Sequence, residues 1–428
     1  MKKFKKIWWA IKLFATRIYY GNPSRKLKII GVTGTNGKTT TVTLLHKIAN
    51  NLGYKSGLIG TVEILIGEEK FKNNQNKPIP ATTPDSVFLT KLFAKMAKAD
   101  CEYVFMEVSS HALDQNRVAG IKFTGGIFTN LTHDHLDYHK DIESYFRAKK
   151  KFFEMLPSNA FALTNTDDDH GNAMLDGIKA RKYSYGFIEK PEDGLRGSSP
   201  KTVFGEGVFM GEISRIDFNG IKMKINNDEI NSKLLGKFNA YNLLAVWSTS
   251  KLLGFDMKKV KNILENITPP HGRFEHFMSK EGIMVIVDYA HSPDALEKVL
   301  LTVKEIKPEN GRIISVFGCG GDRDVTKRPK MGKIGASLSD IAIFTSDNPR
   351  SEDPRGIIEN MKDNLSHEEA KKIITIEDRR LAIEEAVELA RKGDIILCAG
   401  KGHEDYQEIK GVKNHFDDKE EFQKIFQK

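Results

Sequence analysis

The sequence predicts an α/β protein with two sheet-based domains, and two observations lead to this fold class. First, short apolar runs alternate with amphipathic stretches from Leu27 onward, as expected for parallel strands joined by crossover helices. Second, this pattern stops at Pro269-Pro270 and then begins again. Because adjacent prolines interrupt helices and strands alike, we expect a joint between two domains at this point.

The first series predicts a central domain over residues 27–270 with a mostly parallel sheet. Its expected strands are Leu27–Val32, Tyr103–Val108, Gly126–Thr129 and Phe161–Asn165. Its expected helices are Lys38–Leu52, Ile142–Met155 and Asn239–Leu253. Between residues 200 and 235, glycines separate short β-prone pieces, which predicts an antiparallel patch within this domain.

The second series predicts a C-terminal, Rossmann-like α/β domain over residues 271–428. Its expected strands are Met284–Asp288, Ile313–Phe317, Ile341–Thr345 and Ile395–Ala399. Its expected helices are Asp294–Ile306 and Leu381–Arg391.

The composition is that of a globular protein, with 39% hydrophobic and 29% charged residues in 428. The net charge of +9 indicates either a solvated basic surface or affinity for polyanions. No basic groove with interleaved aromatic residues is evident, so we do not expect nucleic-acid binding. The cysteines, Cys101, Cys319 and Cys398, are few and lack CxxC spacing, which favours a reducing, cytoplasmic location.

Residues 1–26 predict a basic amphipathic helix ahead of the central domain. Phe4, Ile7, Trp8 and Ile11 follow a helical rhythm, with lysines between them. Lys12 interrupts any signal-peptide core, so we do not expect secretion. The helix either packs on its own domain or rests on an anionic membrane surface.

A glycine-rich loop separates the first expected strand from the first expected helix. The loop is Gly34-Thr35-Asn36-Gly37-Lys38-Thr39-Thr40. Glycines let the backbone approach phosphate, Lys38 can neutralise the β- and γ-phosphates of ATP, and Thr39 is placed to hold Mg²⁺. A strict P-loop would have glycine where Val32 stands, and Gly31 lies one residue early. The central domain is nevertheless expected to be a P-loop-type ATPase domain.

Further candidate metal ligands follow the next strands. Glu107 ends one strand and offers hard carboxylate oxygens for Mg²⁺. His135 follows the next strand and could supply nitrogen to a second ion. His133, His135 and His139 together could suggest zinc, but no cysteine or HExxH arrangement accompanies them, so zinc is not expected.

The loop resembles that of the Mur ligases, which form the amide bonds of bacterial cell wall precursor peptides. Further motifs resemble this family in the same order along nearly the whole chain from Leu27. They are Thr82-Thr83-Pro84, Glu107-Val108-Ser109-Ser110-His111-Ala112-Leu113, Phe128-Thr129-Asn130-Leu131, Asp134-His135-Leu136-Asp137-Tyr138-His139, Gly236-Lys237-Phe238-Asn239, Gly272-Arg273-Phe274-Glu275 and Asp288-Tyr289-Ala290-His291. The resemblance implies an ATP-dependent ligase that activates a carboxylate as an acyl phosphate, with Mg²⁺ shielding the phosphate charge.

The resemblance also implies roles for individual residues around ATP and the acyl substrate. Lys38, Glu107, His135 and Lys149 would be catalytic, with Lys149 carbamylated so that it joins Thr39, Glu107 and His135 as a metal ligand. Asn239 would contact the base of ATP, and Arg273 and Asp288 would approach its phosphates or ribose. The acyl substrate, a UDP-N-acetylmuramoyl dipeptide, would lie near Thr82, Thr83, Ser109, Gln115 and Arg117. From the residues alone, Lys149 is one of three solvated lysines and Ser109 an ordinary helix cap.

The amino-acid acceptor implied by the resemblance is meso-diaminopimelate. Asp347-Asn348-Pro349-Arg350 matches the family pattern associated with this acceptor rather than with lysine. Diaminopimelate carries a carboxylate and an ammonium at its far end, and Arg350 could pair the carboxylate through two hydrogen bonds. Arg323 and Asn348 would join it, and Glu404, in the segment that starts at Gly400, would bind the ammonium. Taken alone, Asn348-Pro349 also fits an ordinary turn.

Related ligases carry an N-terminal uridine-binding domain, which this sequence is expected to lack because the loop strand begins near Leu27. Two other interpretations stay open at this point. One is a related amide ligase of the cyanophycin synthetase or folylpolyglutamate synthase type, although neither explains the Asp347–Arg350 motif. The other is a degenerate, non-catalytic nucleotide-binding protein, although Lys38, Glu107, His135 and Lys149 are all present. The chain is expected to be a monomer.

Overall fold

The computed structural model describes residues 14–16, 18–71, 82–132, 136–188 and 206–427, with the backbone alone at 136 and 137. Most of the predicted N-terminal helix, at residues 1–13 and 17, lies outside this part of the chain. So do His133, the predicted metal ligand His135 and the first residues of the predicted antiparallel patch. The described chain divides into two compact units. The first unit comprises residues up to 215, 222–232 and 238–267, and the second comprises 216–221, 233–237 and 268–428.

The first unit is built on an eleven-stranded sheet with the order β11-β10-β9-β8-β7-β6-β1-β5-β2-β3-β4. Its strands are β1 (Lys28–Thr33), β2 (Ser56–Ile59), β3 (Ile64–Ile66), β4 (Glu69–Lys70), β5 (Tyr103–Glu107), β6 (Phe123–Phe128), β7 (Phe161–Asn165), β8 (Arg181–Phe187), β9 (Gly207–Asp217), β10 (Gly220–Ile225) and β11 (Asp228–Ser232). Each strand is parallel to its neighbours over the part of the sheet with the order β9-β8-β7-β6-β1-β5-β2. Strands β9, β10 and β11 are joined by two-residue turns, which only antiparallel neighbours allow.

Helices connect these strands and follow them. They are α1 (Lys38–Asn51), α2 (Ser86–Lys98), α3 (Ser110–Asp114), α4 (Leu136–His139), α5 (Ile142–Glu154), α6 (Gly171–Met174), α7 (Lys237–Leu252) and α8 (Met257–Asn266), with a short 3₁₀ helix at Pro23–Lys26. Strand β1 lies between β5 and β6 in the middle of the sheet. The carboxyl ends of these parallel strands therefore present the loops that follow them at one edge of the sheet.

Gly31 has a packing role that explains its place one residue early in the phosphate-loop pattern. A β-carbon at Gly31 would lie 2.5 Å from Cζ of Phe152, and one at Gly126 would lie 2.8 Å from Cε1 of the same ring. These glycines of β1 and β6 therefore let α5 approach the sheet closely. Because Lys149 lies one turn before Phe152 on α5, the same contact brings Lys149 towards the loop that follows β1.

The second unit contains a six-stranded sheet with the order β12-β13-β17-β14-β15-β16. Its strands are β12 (Glu275–Met278), β13 (Met284–Asp288), β14 (Ile313–Phe317), β15 (Ile341–Phe344), β16 (Ile373–Thr375) and β17 (Ile395–Ala399), and β18 (Tyr406–Ile409) and β19 (Val412–His415) form a separate hairpin. Its helices are α9 (Pro293–Ile306), α10 (Lys327–Leu338), α11 (Pro354–Lys362), α12 (His367–Ala370), α13 (Arg379–Leu389) and α14 (Asp418–Phe426). Only β12, at the edge, is antiparallel to its neighbour.

The predicted fold class, α/β with two mostly parallel sheets, is confirmed. Several elements were not predicted from the sequence, among them α2, α8, α10 and the β18–β19 hairpin. Buried apolar residues fill both faces of the second sheet. The three cysteines are free and buried. Among the described residues, no helix is both long and apolar enough to cross a membrane.

Candidate active site

The glycine-rich loop between β1 and α1 has the geometry of a phosphate cradle. Gly34 and Gly37 have φ angles of 151° and 84°, values that side chains rarely allow. A β-carbon at Gly34 would lie only 1.8 Å from Oγ1 of Thr129. The N-cap residue of α1 is Gly37, so no capping side chain bonds to the first N–H groups of this helix. Backbone N–H groups at the start of a fourteen-residue helix suit the phosphates of ATP.

The loop is fixed by the residues that follow β6. Thr35 N donates to the carbonyl oxygen of Asn130 at 2.8 Å, and Asn36 N donates to Oδ1 of Asn130 at 2.9 Å. The hydroxyl of Thr129 donates to the carbonyl oxygen of Asn36 at 2.7 Å. No role was predicted for this motif from the sequence. Its contacts hold the phosphate loop in shape.

Two lysines converge on one carbonyl of the loop. Nζ of Lys38 donates to the carbonyl oxygens of Gly34 and Thr35, both at 2.8 Å. Nζ of Lys149 donates to the carbonyl oxygen of Gly34 at 2.7 Å. Lys149 is 1% exposed, and its Nζ lies 4.2 Å from the centre of the Tyr145 ring. The solvated-lysine interpretation of Lys149 is therefore wrong.

A hydroxyl and a carboxylate meet beside the loop in a manner that suits Mg²⁺. Oγ1 of Thr39 donates to Oε1 of Glu107 at 2.9 Å, and Glu107 is 1% exposed. Thr61, which the sequence analysis missed, donates its N–H to Oε1 at 2.8 Å and its hydroxyl to Oε2 at 3.2 Å. Hard oxygen donors beside a phosphate loop match the preference of Mg²⁺.

The residues predicted for the acyl substrate form one connected group in the first unit. Thr83 donates its hydroxyl to the carbonyl oxygen of Glu107 at 2.9 Å and accepts a bond from Ser109 N at 3.0 Å. Arg117 donates to the carbonyl oxygen of Thr83 at 2.8 Å and to Oε1 of Gln115 at 2.6 Å. Thr82 joins this group through Thr61, whose Oγ1 lies 3.0 Å from Oγ1 of Thr82.

Tyr138 is a further member of this group that the sequence analysis quoted without a role. Its hydroxyl donates to Oδ2 of Asp114 at 2.9 Å and accepts a bond from Nε2 of Gln115 at 3.3 Å. These bonds orient the amide that in turn holds Arg117. Tyr138 therefore positions the polar groups predicted to bind the acyl substrate.

Asn239, predicted to contact the base of ATP, is buried near the start of α7. Its Oδ1 accepts a bond from Nδ2 of Asn242 at 3.0 Å. Oδ1 of Asn242 would lie 2.5 Å from a β-carbon at Gly37. A second asparagine, which the sequence analysis missed, therefore links Asn239 to the phosphate loop.

Arg273 and Asp288 lie together in the second unit. The guanidinium of Arg273 stacks over the Tyr289 ring at 4.8 Å. Asp288 accepts bonds from Phe274 N at 2.7 Å and Ala290 N at 2.9 Å. Burial raises the pKa of Asp288, and the charge of Arg273 opposes that rise. The ring and the two charged groups thus form one compact cluster.

The backbone at Gly272 packs against the segment that follows β17. A β-carbon at Gly272 would lie 2.0 Å from both the carbonyl carbon of Gly402 and the nitrogen of His403. Gly272 has a φ of 62°, which favours glycine. This contact brings the Gly272-Arg273-Phe274 motif next to the segment from Gly400 to Glu404.

Glu404, predicted to bind the ammonium of the acceptor, meets two other residues predicted for the acceptor site, Asp347 and Asn348. Nδ2 of Asn348 donates to Oε2 of Glu404 at 2.8 Å, and Asn348 N donates to Oδ1 of Asp347 at 2.7 Å. Oδ2 of Asp347 is buried without a hydrogen-bond partner and would lie 2.6 Å from a β-carbon at Gly400. Burial raises the pKa of Glu404, and the nearby charge of Asp347 raises it further. Two carboxyl groups in a buried setting suit a cationic ligand.

The two arginines predicted for the acceptor flank one glycine. A β-carbon at Gly320 would lie 2.9 Å from Nη1 of Arg350 and 3.8 Å from Cγ of Arg323. Nη1 of Arg350 donates to the carbonyl oxygen of Gly321 at 2.6 Å, and its Nε lies 3.8 Å from Oε2 of Glu408. Arg350 has a φ of 53°. The Arg350 guanidinium and the Arg323 side chain thus approach the same glycine, and guanidinium groups suit a carboxylate ligand.

Lys401 connects these groups, although the sequence analysis gave it no role. It is fully buried, and its Nζ lies 3.5 Å from Oε2 of Glu404 and 3.4 Å from Oδ1 of Asn348. Nζ also donates to the carbonyl oxygen of Tyr406. The role of Lys401 could not be predicted from the sequence, because a buried lysine is recognised only when its partners are known.

The fold and these contacts define an ATP-dependent amide ligase, and comparison with known proteins agrees. Residues 32–249 match the Mur ligase middle domain, and residues 272–402 match the Mur ligase, glutamate ligase domain. The chain belongs to the Mur ligase family, which confirms the resemblance noted in its sequence.

Curated relatives and a solved structure cover most of the chain. The UDP-N-acetylmuramoyl-L-alanyl-D-glutamate–2,6-diaminopimelate ligase of Parabacteroides distasonis is 49% identical over 417 residues, which is 97% of this chain and 81% of the relative. The enzyme of the same name from Bacteroides fragilis is 48% identical over 412 residues, 96% of this chain and 80% of the relative. A solved structure of a protein of this name superposes with a TM-score of 0.65 at 32% identity, covering 94% of this chain and 78% of the other.

Proposed function

We propose that this chain joins meso-diaminopimelate to the D-glutamate of UDP-N-acetylmuramoyl-L-alanyl-D-glutamate, with ATP as the energy source. The observation that carries this proposal is the relationship to diaminopimelate ligases at 48–49% identity over nearly the whole chain. It confirms the activity predicted from the motifs. The resulting amide belongs to the peptide of peptidoglycan precursors.

The first half of the reaction rests on groups of the first unit. The loop from Gly34 to Thr40 would hold the phosphates of ATP, with Lys38 beside the β- and γ-phosphates. The substrate carboxylate attacks the γ-phosphorus, the bond to ADP breaks, and an acyl phosphate forms. Thr39 and Glu107 would hold Mg²⁺, which offsets the negative charge of the transferred phosphoryl group. Carbamylated Lys149 and His135 remain predicted ligands in this proposal.

The second half of the reaction rests on groups of the second unit. Arg323 and Arg350 would pair the distal carboxylate of diaminopimelate, and Glu404 with Asp347 would pair its distal ammonium. The other amine, after losing a proton, attacks the acyl carbon. The bond from that carbon to the phosphate oxygen breaks, and inorganic phosphate leaves. A lysine acceptor lacks the distal carboxylate and would leave both guanidinium groups without their ligand.

We also propose a cytoplasmic monomer. The free, buried cysteines support a reducing compartment. The nucleotide-linked substrate and ATP are both soluble molecules. Gel filtration with light scattering tests the oligomeric state, and a mass twice that of 48.3 kDa would refute the monomer.

The proposed activity can be tested by product analysis. The purified chain is incubated with ATP, Mg²⁺, the UDP-linked muramoyl dipeptide and meso-diaminopimelate, and the product is identified by mass spectrometry. We expect the tripeptide product only when every component is present. Equal turnover with L-lysine would refute the acceptor assignment, and product formation without ATP would refute the ligase assignment.

A further inference from the structure

One short segment accounts for the net charge of this protein. Residues 1–28 contain nine of the 66 basic residues and none of the 57 acidic residues, so the remaining chain has 57 of each. The whole net charge of +9 therefore belongs to this segment. The first acidic residue in the sequence is Glu63.

The described part of this segment exposes large apolar side chains as well. Residues 14–16, 18 and 19 are helical. Phe14 is 67% exposed, Ile18 is 62% exposed and Tyr19 is 82% exposed. Phe14 and Ile18 are four residues apart and so lie on the same side of a helix. Large exposed apolar side chains next to dense positive charge are typical of contact with an anionic lipid surface.

The segment is anchored to the first unit where the helix ends. Gly21 N donates to the carbonyl oxygen of Ile18 at 3.0 Å and closes the last turn. Pro23, two residues later, is buried in the first unit and lines a small cavity with Phe93 and Ile121. The exposed helical residues therefore emerge from a fixed point on the first unit.

Further cations surround this point. A surface cavity of about 330 Å³ is lined by Arg25, Lys26, Lys28 and Lys122, together with uncharged residues. Lys28 is paired with Glu102 at 2.7 Å. Arg25, Lys26 and Lys122 are exposed, and no carboxylate of the described residues lines the cavity. A cavity of this size can admit a phosphate-bearing headgroup.

We infer that Phe14, Ile18, Tyr19, Arg25, Lys26 and Lys122 form a docking surface for an anionic phospholipid membrane. The apolar side chains would enter the interface between headgroups and acyl chains, and the cations would face the phosphates. The surface precedes β1, whereas the phosphate loop follows β1. The strand of six residues spans about 20 Å, so docking leaves the loop free of lipid. The enzyme would work beside the membrane while its substrates stay in solution.

Vesicle flotation of the full chain tests this inference. The probes are vesicles of phosphatidylglycerol and phosphatidylcholine in equal amounts, and vesicles of phosphatidylcholine alone. We expect binding to the anionic vesicles that is lost when salt shortens the screening length to about 3 Å. Equal binding to both kinds of vesicle, or binding to neither, would overturn the inference.

Two triple variants and a matched control assign the binding to this surface. Because a basic side chain near an anionic membrane contributes about a five-fold gain in affinity, R25Q/K26Q/K122Q is expected to bind about 100-fold more weakly. F14Q/I18Q/Y19Q is expected to lose binding even at low salt. The control, K251Q/K258Q/K259Q, removes the same charge from exposed positions elsewhere on the first unit and should bind like the parent. Equal losses in the control and in R25Q/K26Q/K122Q would overturn the inference.

Thermal unfolding of each variant shows whether the fold is intact, and a second ligand separates lipid from nucleic acid. A fluorescent single-stranded RNA is titrated into the full chain under the same conditions. Tighter binding of RNA than of anionic vesicles, with the F14Q/I18Q/Y19Q variant unaffected, would identify a nucleic-acid surface and refute the membrane assignment. None of these measurements depends on the ligase activity.

Discussion

Nζ of Lys149 donates a 2.7 Å hydrogen bond to the carbonyl oxygen of Gly34, the same atom that accepts from Lys38. The side chain on α5 is thereby fixed at the phosphate loop that follows β1. A carbamate at this nitrogen would carry its oxygens to the loop, as the family resemblance implies. The relationship makes Lys149 the most informative residue to change.

For Lys149→Ala we expect kcat to fall at least about 100-fold, because the change removes a buried group from the phosphate site. Phosphate release is measured with saturating substrates. Added acetate or formate should restore part of the activity if a carboxylate-like group is required. Arg147→Ala, an exposed cation on the same helix that pairs with Glu143 at 2.8 Å, is the control and should remain active. Full activity of Lys149→Ala would contradict the role.

Glu107 is expected to set the affinity for Mg²⁺. Removing the charge in Glu107→Gln should raise the Mg²⁺ concentration for half-maximal activity at least about ten-fold. The hydrogen bond from Thr39 can persist to the remaining carbonyl oxygen, so the fold should be retained. Glu102→Gln, an exposed substitution near the start of β5, serves as the control. An unchanged Mg²⁺ titration in Glu107→Gln would rule out the metal site.

Arg350 is expected to select the acceptor. Arg350→Ala should raise the KM for meso-diaminopimelate about 100-fold through the loss of a charge-assisted pair. Its turnover of L-lysine should change little, so the preference between the two acceptors should shrink. Arg355→Ala, an exposed arginine in the same unit, is the control. A variant that keeps the preference of the parent would show that other residues select the acceptor.

His271 gives the second unit a stability that depends on pH. Hydrogen bonds to Asp417 at 3.0 Å and Glu275 at 2.7 Å raise the pKa of His271 from 6.5 to about 10, against the effect of burial. The stabilisation is therefore fully present below pH 6.5 and is lost as the pH rises towards about 10. His271 is 39% exposed, so we discount the free energy to about 1 kcal/mol.

His271→Gln should therefore lower the Tm by about 2–4 °C under mildly acidic conditions and by less in alkaline buffer. Calorimetry at a series of pH values makes the comparison. Lys298, which pairs with Asp294 on the exposed side of α9, offers a control in Lys298→Gln, with little expected effect at any pH. A Tm difference between parent and His271→Gln that grows with pH would contradict the assignment.

The sequence predicted the buried strands best. The bounds of β7, β13, β14 and β17 agree with the predicted ones, because strands covered on both faces are continuous apolar runs with polar ends. The β18–β19 hairpin was missed because its residues are polar and largely exposed. Helix α10 was missed because Pro329 and many lysines obscure its apolar face.

Some residues of the candidate site could likewise be predicted from the sequence, and others could not. Loop residues such as Lys38 stand beside glycines that have a recognisable spacing, so they could be found from the sequence. Thr61, Asn242 and Lys401 each contact a residue far away in the chain, at separations that no local pattern encodes. These partners are Glu107, Thr41 and Asn348 respectively. Lys149 is an intermediate case, since only the resemblance to the Mur ligases distinguished it from its neighbours Lys150 and Lys151. The roles of all these residues in the reaction stay predictions.

The most direct test of the central claim follows a heavy-oxygen label. The D-glutamate carboxylate of the UDP-linked muramoyl dipeptide is labelled, the reaction is run with ATP and meso-diaminopimelate, and the inorganic phosphate is analysed by mass spectrometry. An acyl phosphate predicts one labelled oxygen in each phosphate released during amide formation. Amide product accompanied by unlabelled phosphate would contradict the account.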